Sequence, residues 1–145
     1  MSGVRIFRDE AFVARPAAEV FSVYLDVETW PVWTSTVTHV LRLDAGPLRV
    51  GARTRVRQPR LPTTTWVVTE VVPGESFSWQ ATGPGLVSIG RHIVRPRAGG
   101  CQVVAEIEHR GLLAPALGLL TARLTRRYLH VETTGLKRHC EQPPT

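Results

Sequence analysis

The sequence predicts an α+β domain in which a curved antiparallel sheet of six to seven strands wraps around one long C-terminal helix, with two short helices after the first strand. Three observations carry this expectation. From His39 to Arg110, short β-branched and aromatic runs follow one another between Gly/Pro turns, with no helical stretch among them; strands that succeed one another without crossover helices pair antiparallel. From Leu112 to about Cys140, leucines recur every three or four residues, as on one stripe of a helix. The chain has 145 residues, 43% hydrophobic and 21% charged, the size and balance of one globular domain that buries about 70% of its unfolded surface.

Val4 to Ala14 mixes apolar and charged residues as a strand, and Arg15-Pro16 ends it. Pro16 suits the start of a helix over Ala17 to Leu25, where Val20, Phe21, Tyr24 and Leu25 fall at helical spacing. Asp26 to Val37, with Pro31 inside it, reads as a short second helix or turn carrying Trp30 and Trp33. Val40 to Asp44 is a strand, and Ala45-Gly46-Pro47 a turn. Ala52, Thr54 and Val56 then alternate with Arg53, Arg55 and Arg57, which predicts a half-buried strand with the arginines in water. Thr64 to Val72, Phe77 to Ala81, Leu86 to Arg95 and a run around Val103 to Glu108 complete the strands, separated by Pro73-Gly74, Thr82-Gly83-Pro84-Gly85 and Gly99-Gly100. On the long helix the apolar stripe is Leu113, Leu117, Leu120, Leu124, Tyr128 and Val131, while Gly118 and Gly135 each weaken the helix by about 1 kcal/mol unless they allow a bend or a close contact. The domain is read as residues 1–141, with 142–145 a loose tail.

No run of about 18 apolar residues is present, so no membrane insertion is expected. No apolar segment follows the first basic residues, and Cys101 and Cys140 are far apart without metal-ligand spacing; together these read as reduced thiols in a cytoplasmic protein. The net charge is +6. All of the basic residues but Lys137 are arginines, scattered rather than interleaved with stacking aromatics, so a solvated basic surface is expected and no specific nucleic-acid partner.

Four segments carry a resemblance. They are Ala14-Arg15-Pro16-Ala17-Ala18-Glu19-Val20-Phe21 at the strand-to-helix junction, Leu25-Asp26-Val27-Glu28-Thr29-Trp30-Pro31-Val32-Trp33 at the second helix, Gly51-Ala52-Arg53-Thr54-Arg55-Val56 on a strand, and Gly135-Leu136-Lys137-Arg138-His139-Cys140-Glu141 at the helix end. In their order and spacing the chain resembles, over nearly its whole length, the START-like (SRPBCC, helix-grip) superfamily and within it the polyketide cyclase/dehydrase and lipid-transport-like group. The resemblance implies a cavity between sheet and helix for lipids, polyketides, hormones or other apolar molecules. It also implies several fates for that cavity, since some members are cyclases or aromatases, others only bind, and others look like chaperone cofactors. The leading expectation is therefore a carrier or binding protein for an apolar or aromatic small molecule. A cyclase or dehydratase using the same cavity is one alternative, and an interaction module with the cavity filled by side chains is another. The oligomeric state is left open.

The candidate ligand-binding residues are Trp30, Val56, Trp66, Trp79, Ser88, His92, Ala105, Leu117, Leu120, Leu124 and Tyr128. Trp30 and Trp33 close one end of the cavity or pack the short helices; Trp66 and Trp79 line it or fill it. His92 shares strand parity with Ser88 and Val94; on an inward face it is either an acid or base beside the ligand or a structural histidine with a satisfied hydrogen bond. Tyr128 either orients a ligand carbonyl or reaches a backbone partner. His92 and Tyr128 are the catalytic candidates. His109 is expected at the rim. Glu106 and Glu108 oppose the apolar parity and are expected in water, with Glu70 as a third carboxylate to place near or apart from them. No His, Cys, Asp and Glu combination has metal-ligand spacing, and neither a phosphate-binding glycine loop nor a nucleophile elbow occurs, so no metal or cofactor is expected.

Overall fold

In the computed structural model, which describes residues 3–143, strand β1 (Gly3–Val13) leads into helix α1 (Ala17–Leu25). A single 3-10 turn (Val27–Thr29) then runs into α2 (Trp30–Trp33). Six strands follow, β2 (His39–Arg42), β3 (Arg53–Arg57), β4 (Thr64–Val72), β5 (Ser76–Gly83), β6 (Leu86–Arg97) and β7 (Gly100–Gly111), and the chain ends in α3 (Ala114–Glu141). The strands make one curved antiparallel sheet in the order β1-β7-β6-β5-β4-β3-β2. The expected helix over Asp26 to Val37 is thus two abutting short turns. Of the expected tail 142–145, Gln142 and Pro143 are exposed and the last two residues lie outside the described residues.

Register decides which side chains face α3. Val103, Ala105, Ile107 and His109 of β7 lie beside Val94, His92, Gly90 and Ser88 of β6, which lie beside Phe77, Trp79 and Ala81 of β5. Directly paired residues of antiparallel strands point to the same side, so these form one inner face. On β4 a register shift between Val68 and Glu70 lets Val68 (opposite Trp79) and Val71 (opposite Phe77) both face inward; a bulge reverses parity along one strand, which simple alternation over Thr64 to Val72 does not reveal. On β3, Thr54 and Val56 are 0% and 3% exposed while Arg53, Arg55 and Arg57 stand in water.

The outer face carries one departure from expectation. Glu106 and Glu108 do take the parity opposite to Ala105 and Ile107, but Glu108 is buried and Glu106 is only partly exposed. Glu108 is buried under Arg91, whose Nη1 donates to Oε1 at 2.8 Å, and Arg110, whose Nε donates to Oε2; Arg8 and Arg91 flank Glu106. The Arg110 hydrogen bond, with Arg91, holds the Glu108 carboxyl below the usual range. Charge-assisted pairs, with Arg8 and Arg91 across neighbouring strands and with Arg110 along β7 itself, cover the carboxylates, so parity is a sound guide and exposure is not. Glu70 is exposed on β4 and apart from them.

Helix α3 packs chiefly on β1 and β7, with α1 and α2 at its C-terminal half. Its buried positions are Ala114, Gly118, Leu129, Glu132, Thr133, Gly135, Leu136 and Cys140, not the leucine stripe. Leu113 and Leu120 are 53% and 83% exposed. The reason is angular: at about 100° per residue, Leu120 sits some 60° round from Leu117 on the outer side, and Thr121 takes the inward place. Small residues mark the closest approaches. A Cβ on Gly135 would stand 2.1 Å from the Trp33 carbonyl oxygen, so this glycine allows α2 to seat against α3. Leu120→Ala is accordingly expected to change stability by less than about 0.5 kcal/mol, whereas Leu136→Ala, at a fully buried site, should cost about 2–5 kcal/mol. Urea titrations of the two variants check this directly, and equal losses would contradict the assignment of faces.

Candidate ligand cavity

Where α3 spans the inner face without touching the middle of the sheet, a cavity of about 590 Å³ remains, within the usual range for small-molecule sites. The sheet supplies Val56, Trp66, Trp79, Ala81, Ala105 and Ile107; α3 supplies Leu117, Thr121, Leu124, Thr125 and Tyr128; Trp30 of α2 closes the inner end. The loop around Leu61 and Pro62 borders the mouth. The Tyr128 hydroxyl donates to the carbonyl of Pro59, tying this loop to α3 across the opening. The hollow persists beside Trp79 because Gly90 lies next to it: a Cβ there would come 2.9 Å from the indole nitrogen.

Aromatic packing sets the inner wall. Trp66 and Trp79 stack with ring centroids 5.7 Å apart. Phe77 stacks on His92 at 4.2 Å, and Tyr24, Trp30 and Trp79 meet His92 edge-on. His92 is buried and its Nδ1 bonds the Phe77 carbonyl at 3.1 Å; a carbonyl only accepts, so Nδ1 carries the hydrogen and Nε2 is the free acceptor. Burial pushes this imidazole down to about 3, against the Phe77 hydrogen bond. The neutral imidazole is therefore the favoured form across the physiological range. His109 lines the cavity but is buried: it shares a 2.8 Å hydrogen bond with Ser88 Oγ, and burial lowers its basicity.

The strongest polar feature was not among the expected site residues. Glu132 projects from α3 into the inner end of the cavity, is 9% exposed, and its Oε2 accepts the Tyr24 hydroxyl at 2.5 Å. Burial pushes its carboxyl up to about 7; the Tyr24 hydrogen bond opposes the rise and the charge on Asp9 adds to it. The sequence carries its place on the helix, since Glu132 follows Tyr128 by four residues and Leu124 by eight on the same arc, but not its burial, which Tyr24 supplies.

Of the expected binding residues, Trp30, Val56, Trp66, Trp79, Ser88, His92, Ala105, Leu117, Leu124 and Tyr128 line this cavity, and Leu120 does not. Among the described residues no three His, Cys, Asp or Glu side chains converge as a metal site would require.

His92 and Glu132 give opposite pH dependences. His92, depressed from 6.5 to about 3, contributes stability that is full above pH 6.5 and lost as pH falls toward 3. Glu132, raised from 4.5 to about 7, contributes stability that is full below pH 4.5 and lost as pH rises through 7. Between these limits the two slopes oppose each other. In Glu132→Gln only the falling slope disappears. Its stability relative to the unaltered protein should therefore climb from pH 4.5 to 7, by at most about 1.4 kcal/mol per pH unit. Urea titrations at several pH values read this difference; a constant difference would mean that Glu132 is ionised in the fold.

The family model described as polyketide cyclase / dehydrase and lipid transport matches residues 5–141. No curated protein matches the chain in sequence. Among solved structures, truncated norcoclaurine synthase from Thalictrum flavum aligns with TM-score 0.77 at 14% identity over 99% of this chain and 97% of its own. TTHA0849 from Thermus thermophilus aligns with TM-score 0.75 at 15% identity, over 94% of this chain and 97% of its own. The di-domain ARO/CYC protein StfQ from the steffimycin biosynthetic pathway aligns with TM-score 0.74 at 18% identity, over 95% of this chain and 51% of its own. The chain thus spans about half the length of StfQ. At these identities the likenesses show the fold alone.

Proposed function

The chain belongs to the polyketide cyclase / dehydrase and lipid transport family, and from that premise and the cavity we propose that it binds one apolar, ring-bearing small molecule between the sheet and α3. The observation that carries the proposal is the open volume of about 590 Å³ walled by Trp30, Trp66 and Trp79. Flat π-faces on the wall favour rings over flexible chains. Burying roughly 300 Å² of ligand apolar surface at about 25 cal/mol per Å² supplies about 7.5 kcal/mol. Ordering costs remove part of this, so affinity should reach about micromolar at best. The same volume weighs against an interaction module with a filled cavity. A cytoplasmic location and the absence of a specific nucleic-acid partner, both expected from the sequence, are parts of this proposal.

A cyclase or dehydratase role in the same cavity is the second reading, and Glu132 favours it. A general acid or base works best with a pKa near the working pH. Glu132, near 7, meets that condition, while His92 is held neutral and the Tyr128 hydroxyl is engaged by Pro59. Native mass spectrometry of the protein purified from its own host tests the binding reading. The expected result is a one-to-one complex with a small apolar molecule that is released on denaturation. A bare chain that also takes up no apolar compound from a mixed extract would contradict it.

A further inference from the structure

We propose that the inner end of the cavity is a subsite for a carbonyl oxygen, so that the ligand is an apolar, ring-bearing ketone or aldehyde that enters carbonyl first. This rests on the cavity-binding reading above and adds the chemistry of the ligand's buried end. Glu132 is the side chain that makes the subsite. One of its oxygens accepts from Tyr24, and among the described residues the other has no protein partner and no cation pairs with the carboxyl. A buried carboxyl without a cation is stable as the neutral acid, which leaves one O–H to donate toward the cavity.

The groups around it support the same protonation state. From α1, Tyr24 donates its hydroxyl to Glu132. From β6, His92 is neutral and presents only an acceptor, since its N–H is used on the Phe77 carbonyl. From β1, Asp9 is the nearest other carboxylate; it accepts from Thr133 at 2.5 Å and lies 3.4 Å from His130, and its charge disfavours a second anion. Both residues line the cavity, Glu132 offering one donor and His92 one lone pair. A carbonyl oxygen accepts the donor's hydrogen, whereas a hydrocarbon leaves a buried O–H unpaired, which costs affinity.

Isothermal titration with three probes of one shape tests this: 2-acetylnaphthalene, 2-ethylnaphthalene and 1-(2-naphthyl)ethylamine. At pH 5.5 the ketone should bind about tenfold more tightly than the hydrocarbon, the size of a net buried hydrogen bond. At about pH 8.5 this ratio should fall toward one, because an ionised carboxylate cannot donate. Glu132→Gln keeps a donor at every pH, so its ketone preference should persist and lose its pH dependence. Glu132→Leu should show no preference at either pH; if that variant does not fold, the pH behaviour of Glu132→Gln decides. A ratio near one at the lower pH, a ratio that pH does not change, or a preference for the amine that grows with pH would overturn the subsite while leaving cavity binding intact. Failure of all three probes to bind would overturn the cavity reading and the subsite with it.

Discussion

Phe77→Ala is expected to lower stability by about 3–5 kcal/mol, the largest effect of any single truncation on the inner face. Phe77 is 0% exposed at the start of β5. Its ring stacks on His92 at 4.2 Å and meets Tyr24 and Trp79 edge-on, at 6.1 and 5.5 Å. Removing it leaves a void that the surrounding rings cannot readily close, because Tyr24, Trp30 and His92 are held by hydrogen bonds. Trp30 Nε1 donates to the Tyr24 carbonyl, Tyr24 donates to Glu132, and His92 is tied to the Phe77 backbone, which the substitution leaves in place. At about 2–4 °C per kcal/mol for a domain of roughly this size, the melting temperature should drop by roughly 6–20 °C. Thermal and urea unfolding check the figure; a loss under about 1 kcal/mol would show that the aromatic cluster is not the core.

Ala105→Trp should abolish ligand binding, by at least about a hundredfold or 2.7 kcal/mol, while the protein remains folded. Ala105 is 1% exposed on β7, paired in register with Asp9 on one side and His92 on the other, and its methyl forms part of the cavity wall. An indole there enters the cavity past Phe7 and Leu129, which pack with Ala105, so the roughly 1–3 kcal/mol usual for overpacking is expected as a loss of stability that leaves the domain folded. Leu120→Trp, on the exposed side of α3, is the matched control and should bind normally. Titration calorimetry with an apolar ligand, alongside circular dichroism, separates lost binding from lost structure. Ala105→Trp that binds as well as the unaltered protein would place the ligand elsewhere.

The sheet was legible because its signals are local. Alternation over Ala52 to Arg57 assigned both faces of β3, and Gly/Pro turns bounded the later strands. The same rule puts His92 and Ser88 on one face of their strand, but which face that is follows only from the register with β5 and β7. Three features were not legible, each for a physical reason. The outward turn of Leu120 depends on where α3 rests on β1 and β7, which the helix's own periodicity does not contain, and an exposed leucine imitates a core one. The covering of Glu106 and Glu108 depends on Arg8 and Arg91 from the neighbouring strands as well as on Arg110 two residues along β7, and the cross-strand part is invisible along a single run. Glu132 was passed over because a charged residue inside an Arg-rich helix reads as solvated; only the placement of Tyr24 across the fold makes it a buried acid. The short α2, with Pro31 inside it, was expected in outline, but its closeness to Gly135 emerges only in three dimensions.

The central claim is that the space between the sheet and α3 holds an apolar ligand, and the most direct measurement is a titration with 1-anilinonaphthalene-8-sulfonate, exciting the tryptophans and reading probe emission. Trp30, Trp66 and Trp79 all border the cavity, so a probe inside it lies within efficient energy-transfer distance of three donors. The expected result is saturable sensitised emission at one probe per chain, with a dissociation constant of about micromolar to tens of micromolar, displaced by unlabelled apolar ligand and absent in Ala105→Trp. Emission that never saturates, or that survives unchanged in Ala105→Trp, would contradict the claim.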